Sequence, residues 1–254
     1  MENKSKEASI LLSAFLDKPR HWLVINEKEK IPNAKRFKEW VKRRSQNEPL
    51  EYITNKVSFY SRDFFIEKGV LIPRPETEIL VDLVSKEIKN IPNPKVLEIG
   101  FGSGIISIML ALLNPRVNVV ATDINPKALH LANKNAKKFG VSENINFKLC
   151  SYDDGIDGRF DILVSNPPYI KNGESLEEHV LKEPHEALFG GKFGHEFLEK
   201  LVSVSKMRGI KRLACEMGYD QKEVMGKILV ENGVKEVSFY KDLSSLDRGF
   251  IARF

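Results

Sequence analysis

Only two cysteines and five histidines occur among the 254 residues. Cys150 and Cys215 both lie in apolar, strand-like runs, which suits small buried packing residues and argues against a disulfide framework. The histidines are scattered without ligand spacing, so no metal is expected. No apolar run approaches the roughly 18 to 20 residues that span a bilayer. The charged stretch Met1 to Glu7 lacks the apolar centre of a secretion signal. A metal-free protein of the cytoplasm, without a membrane partner, is the expectation. Repeats and low-complexity tracts are missing too. What remains is an ordinary globular composition, 42% hydrophobic with 12 prolines spread along the chain. The length suits one large domain or one medium domain plus a small one.

The net charge of +5 is unevenly placed. Residues 1–70 carry 15 Lys and Arg against 10 Asp and Glu, and the rest of the chain carries 25 of each. One reading is a solvated helical surface. The other is a face that meets an acidic macromolecule.

Helical spacing runs from Lys6 to Leu16 and from Ala34 to Ser45, with Ile10, Leu11, Ala14 and Phe15 on one face of the first. Trp22, Leu23 and Val24 between them fit a short helix or a buried turn. Alternation from Tyr52 to Ile72, carried by Val57, Phe59, Phe64 and Ile66, predicts a β-hairpin. Pro75 opens a helix through Lys89. Strands and helices alternate from Lys95 onward, which predicts a parallel sheet covered on both faces. Two strand-like runs, Lys235 to Tyr240 and Gly249 to Phe254, close the chain as a hairpin. The expected division is therefore residues 1–70, helical with a hairpin linker, and residues 71–254, an α/β domain.

Three segments carry chemistry. The strand Val96 to Ile99 runs into Gly100-Phe101-Gly102-Ser103-Gly104 and then an apolar helix. Glycines let backbone N–H groups approach a ligand closely. Ile105 stands where a dinucleotide fingerprint needs its third glycine, and no basic residue is there to grip a phosphate. The next strand ends in Asp123, placed either to accept from both ribose hydroxyls or simply to begin a helix. A further strand, Phe160 to Val164, leads into Asn166-Pro167-Pro168-Tyr169. Two prolines fix an extended ledge that cannot donate hydrogen bonds. The Asn166 side-chain oxygen and the Pro167 carbonyl can accept both N–H donors of a planar NH2 group while Tyr169 packs on its face. Read plainly, the same four residues are a strand-exit turn. Together the three segments predict an S-adenosylmethionine-dependent methyltransferase acting on a planar nitrogen.

With these residues in place, the chain resembles the protein-(glutamine-N5) methyltransferases that modify peptide chain release factors. Glu48-Pro49-Leu50-Glu51-Tyr52-Ile53 resembles the family's stretch after its N-terminal helices. Leu71-Ile72-Pro73-Arg74-Pro75-Glu76-Thr77-Glu78 is similar to its most distinctive signature. Glu183-Pro184, Ala187-Leu188 and Gly190-Gly191 match the loop after the ledge. Glu216, Gly218 and Gln221 match a late strand-to-helix turn, and Asp247-Arg248 the closing hairpin. Asn55 stands where the family commonly has glycine, and Phe101 replaces a small polar residue.

The resemblance implies a class I methyltransferase fold, Rossmann-like. It has a mostly parallel seven-stranded sheet with a C-terminal antiparallel hairpin, a small N-terminal helical domain and a β-hairpin linker. It implies S-adenosylmethionine as cofactor, S-adenosylhomocysteine as product, and methylation of the glutamine in a Gly-Gly-Gln loop of class I release factors. A monomer with no stable nucleic-acid partner is expected. Asn166, Pro167 and Tyr169 are the catalytic candidates, and these with Pro168, Arg74 and Glu183 would bind substrate. Glu98 would lie near the methionine part of the cofactor. Gly100, Phe101, Gly102, Ser103 and Gly104 would form its cradle, with Asp123, Asn166 and Thr77 beside it. Near the adenine, Tyr152 takes the family's aromatic position and Ser151 its acidic one, with Asp153 as the alternative. Arg74, Glu76, Thr77 and Glu78 can equally serve as a plain helix start. A nucleic-acid amino-methyltransferase acting on adenine or guanine is the competing reading. A non-catalytic cofactor-binding module is a third.

Overall fold

The computed structural model describes residues 2–254, so Met1, the start of the charged N-terminus, lies outside the described residues. Four helices lead: α1 (Glu2–Leu16), α2 (Arg20–Ile25), α3 (Ala34–Ser45) and α4 (Leu50–Thr54). Phe15 of α1 packs against Phe37 and Trp40 of α3, with ring centroids 5.2 Å apart in each pair. The segment around Trp22 is a short helix, but it is not buried, since Val24 and Ile25 are exposed. The short helix α4 breaks the alternation read from Tyr52 onward. Tyr52 is buried there and donates its hydroxyl proton to the Val70 carbonyl. Asn55 ends α4 at φ 55°, in the left-handed region that asparagine tolerates better than other side chains, which is why it can stand in for glycine.

The hairpin is β1 (Lys56–Phe59) and β2 (Arg62–Phe65), antiparallel. Its alternating residues Val57, Phe59 and Phe64 all reach the core, and Phe64 lies 4.5 Å from Phe139 between ring centroids. Next come α5 (Thr77–Ile88), β3 (Lys95–Ile99), α6 (Ile105–Leu113), β4 (Asn118–Asp123), α7 (Pro126–Phe139), β5 (Ile145–Leu149) and β6 (Ile162–Ser165). The two-residue β7 (Ile170–Lys171) and β8 (Phe189–Gly191) pair with each other beyond the ledge. The chain ends with α8 (Glu196–Arg208), β9 (Arg212–Glu216), α9 (Lys222–Glu231), β10 (Glu236–Lys241) and β11 (Asp247–Arg253).

The main sheet has seven strands in the order β10-β11-β9-β6-β3-β4-β5. All neighbours are parallel except those of β11, which runs against both β9 and β10. One core lies between the sheet, the β1–β2 hairpin and α5, α6 and α7. The other lies under α8 and α9. Period-two alternation divides β3 between them: Val96 faces the first core, Leu97 and Ile99 the second. Each such side chain stabilises the fold by about 1.5–3 kcal/mol relative to exposure. Strand order reverses at β3, which has β4 on one side and β6 on the other. The carboxyl ends flanking such a reversal form the crevice where open α/β sheets bind ligands. Among the described residues no helix is long and apolar enough to cross a membrane.

Candidate active site

A cavity of about 290 Å³ opens at that crevice. Its walls come from the glycine turn after β3, the tip of β4, the turn after β5 and the ledge after β6. Gly100, Gly102, Asp123, Ser151, Tyr152, Asn166, Pro167 and Pro168, all expected from sequence, line it. No Lys or Arg does, so nothing in the wall matches a phosphate.

The glycine turn and Asp123 hold one another. Asp123 Oδ2 accepts from the Gly102 N–H at 2.8 Å, and Oδ1 from the Asn125 N–H at 2.9 Å. Burial raises the Asp123 pKa, against the backbone donors that lower it. Each oxygen keeps a second lone pair for a hydroxyl donor. Gly100 has φ +80°, and a Cβ there would meet nothing within 4 Å, so the backbone borders open cavity. Gly104 is different: at φ +81° its Cβ would come 2.9 Å from Ala132 Cβ, so it is needed for packing α6 on α7.

Several other expected residues stand behind the wall. Phe101 is buried edge-on to Phe147, and the Ser103 carbonyl accepts from Asn135 Nδ2. Glu98 points to the α6 side of the sheet, away from the cavity wall. It accepts from the N–H and hydroxyl of Ser107 at the start of α6, and burial pushes its pKa up to about 8. Tyr152 does reach the cavity, with a strained backbone at φ 45°, its carbonyl held by the Thr122 hydroxyl and its ring stacked 5.9 Å from Phe197. Asp153, the alternative at the adenine, is instead paired with Arg208 at 2.9 Å.

The ledge is braced from three directions. Asn166 Nδ2 donates to Thr77 Oγ1 at 3.2 Å, which leaves its Oδ1 free to accept. The Tyr169 carbonyl accepts from Gln221 Nε2 at 2.9 Å. A Cβ on Gly190 would lie 2.5 Å from the Pro168 carbonyl oxygen, so only glycine lets β8 run this close to the ledge. The Tyr169 ring does not line the cavity. Its hydroxyl meets Arg248, and burial raises its pKa. Arg74 and Glu183 pair with each other at 2.5 Å, and Glu183 also accepts from the Ile72 N–H at 2.9 Å. They clamp the segment before α5 to the strap whose Pro184, Glu186 and Ala187 cover the cavity. Sequence reasoning did not single out Val70 and Leu71 from the linker, nor Phe197 and Leu201 from α8, as lining residues. Apolar residues in a linker or helix carry no mark that separates a cavity wall from core.

A nucleoside-like sulfonium cofactor fits this wall. It offers an acceptor carboxylate, a bare glycine backbone and apolar and aromatic surface, with no cation to repel a positive charge. The comparisons with known proteins agree. Family models described as Methyltransferase small domain and PrmC N-terminal domain match residues 75–192 and 1–54. A human methyltransferase 10 domain containing protein shares the fold at TM-score 0.56 and 17% identity, over 84% of this chain and 92% of that one. A ribosomal protein L11 methylase from Lactobacillus delbrueckii shares it at 0.52 and 21%, over 74% and 83%. The chain spans about half of the bifunctional methyltransferase of Rickettsia conorii, at 36% identity over 95% of this chain and 52% of that one. It is also 36% identical to the release factor glutamine methyltransferase of Aquifex aeolicus, over 98% of this chain and 90% of the other. That of Clostridium acetobutylicum is 34% identical over 97% and 90%. Identity of this extent, carried through both the helical N-terminus and the seven-stranded sheet, means that the chain belongs to the release factor glutamine methyltransferase family.

Proposed function

We propose that the protein methylates the side-chain amide nitrogen of the glutamine in the Gly-Gly-Gln motif of class I release factors, using S-adenosylmethionine. The observation that carries this is Asn166, which lines the end of a cavity that suits a nucleoside without phosphates and whose NH2 donates to Thr77, leaving its oxygen to accept. The cofactor supplies an electrophilic methyl on a sulfonium. Of the residues lining the cavity, Asp123 would hold the ribose, the Gly100 and Gly102 backbone the adjoining carbons, and Tyr152 with Ser151 the adenine edge. Glu98 holds the first turn of α6, which follows the glycine turn, through Ser107.

An amide nitrogen is a poor nucleophile because its lone pair is delocalised. Asn166 Oδ1 and the Pro167 carbonyl accept its two N–H groups in a geometry that favours the pyramidal form, which is an interaction of the transition state. Holding nitrogen, methyl carbon and sulfur in line can contribute on the order of 7–11 kcal/mol. The apolar wall keeps water out while positive charge disperses. No dedicated base is required, since an N-methylated amide cation gives up its proton to any nearby acceptor.

The residues of 1–70 dock the body of the release factor and those of 71–254 carry the chemistry, with the β1–β2 hairpin as the joint. The enzyme works as a monomer in the cytoplasm, where translation terminates. Label transfer from radioactive S-adenosylmethionine to purified release factor, DNA and RNA in parallel tests the reading. Label on the release factor alone supports it. Label on a nucleic acid alone would replace it with the amino-methyltransferase reading.

A further inference from the structure

A buried carboxylate at the end of β9 has no part in the account above. Glu216 is the last residue of β9 and is 1% exposed. Cys215 beside it faces the core under α8 and α9, so by alternation Glu216 faces the α5 side. Ser165 of β6 and Cys215 stand opposite one another in parallel register. Asn166 and Glu216 therefore leave neighbouring strands side by side. The Thr77 hydroxyl and the Asn166 amide, themselves joined at 3.2 Å, lie beside the Glu216 carboxylate and act to lower its pKa. Its Oε1 has no hydrogen-bond partner among the described residues. A carboxylate buried so incompletely paired is costly and calls for an explanation.

An asparagine side chain can turn either its oxygen or its NH2 toward the cavity, and the two have nearly the same shape. Only the oxygen suits a substrate that itself presents NH2. Thr77 alone does not decide between them, because a hydroxyl donates as well as accepts. An ionised carboxylate only accepts. A Glu216 carboxylate that takes the Thr77 proton would leave Thr77 Oγ1 able only to accept from Asn166 Nδ2, and would attract the same NH2 group itself.

We propose that Glu216 is a positioning residue of the methyl transfer, fixing the Asn166 amide, directly and through Thr77, with its oxygen toward the substrate. This rests on the function proposed above. Burial pushes the Glu216 pKa up to about 7, with Glu76 acting the same way and Thr77, Arg248 and Asn166 against it. Tyr169, Tyr240 and Cys215 also face it, and all three have pKa values raised above their ordinary ones, so they stay neutral in this range. Protonated Glu216 becomes a donor, the Thr77 hydroxyl can turn, and Asn166 can flip. With the Glu216 pKa raised to about 7, the wild-type kcat should fall below about pH 7 while cofactor affinity holds.

The test is steady-state kinetics of the full chain on intact release factor across pH, with calorimetry of S-adenosylmethionine binding, for wild type, Glu216→Gln, Glu216→Ala and Thr77→Val. Glu216→Gln keeps an acceptor but cannot titrate, so it should lose the acid limb and about tenfold in kcat. Glu216→Ala and Thr77→Val should each lose about 10²-fold or more in kcat, with KM little changed. Residues acting as one unit are non-additive, so a double variant combining Glu216→Gln with Thr77→Val should be no worse than Thr77→Val alone. Should Glu216→Ala fail to fold, the two near-isosteric changes, Glu216→Gln and Thr77→Val, decide. A normal kcat and an intact acid limb in Glu216→Gln would overturn the positioning role. So would additive losses in the double variant. A wild type that leaves the release factor glutamine unmethylated overturns the proposed function itself, so the two failures are distinguishable.

Discussion

The structure ties the donor half of the Asn166 amide to Thr77, which leaves its oxygen for the acceptor role proposed for it. Asn166→Ala should therefore lower kcat by about 2–4 kcal/mol of barrier, the range for single transition-state hydrogen bonds, with cofactor affinity nearly unchanged. Stopped reactions at saturating release factor check this, and near-normal turnover would remove the ledge from the chemistry. Besides the ribose role proposed for it, Asp123 accepts from the Gly102 and Asn125 N–H groups. Asp123→Ala should weaken S-adenosylmethionine by about 1.5–3 kcal/mol and lower Tm as well, while Asp123→Asn should recover part of both. Calorimetry and thermal melts on the two variants read this, and unchanged affinity in Asp123→Ala would take it out of the ribose site. Both residues are legible in the sequence because their signals are local, an acid at a strand tip and an amide before two prolines. The Thr77–Asn166 bond is not, because it spans 89 positions of chain. The outward turn of Tyr169 toward Arg248 depends on β11 and was equally hidden.

At the scale of elements, the sheet was readable from alternation, and the hairpin from Val57, Phe59 and Phe64. The helix α4 was missed because five residues are too few to show a period. Gly190-Gly191 was visible as a motif, but its cause was not, since the close approach to the Pro168 carbonyl exists only after β7 and β8 pair. Gly190→Ala should push β8 off the ledge and reduce kcat far more than cofactor binding, which kinetics with calorimetry resolves. Arg74 and Glu183 read as substrate contacts, and the fold shows them clamping each other. With the Glu183 side chain 1% exposed, Arg74→Ala leaves a buried charge without its partner. It should destabilise the protein by about 3–5 kcal/mol, checked by denaturant unfolding.

Over the whole molecule, charge and acidity supply the remaining tests. Lys35, Lys38 and Lys42 of α3 are exposed, and the excess positive charge of the chain lies in residues 1–70. Reversing these three lysines to Glu should lower kcat/KM on intact release factor, more at low salt than high, and leave a free Gly-Gly-Gln peptide unaffected. Equal loss on both would end the docking role. The buried Glu98 has a pKa raised from 4.5 to about 8. The folded state thus holds its proton longer than the unfolded chain, and its contribution to stability is full below 4.5 and lost as pH rises through about 8. Tm measured across that window should fall less steeply for Glu98→Gln than for wild type, and parallel slopes would show that Glu98 is not the group responsible.

The claim on which the rest depends is that the methyl goes to a side-chain amide nitrogen. Fragmentation mass spectrometry of a release factor treated with the enzyme and S-adenosylmethionine locates the modification directly. A single methyl on the glutamine of the Gly-Gly-Gln loop, on its side-chain nitrogen, is the predicted result. A methyl on any other residue, or a release factor left unmodified while DNA or RNA takes up the methyl, would contradict it.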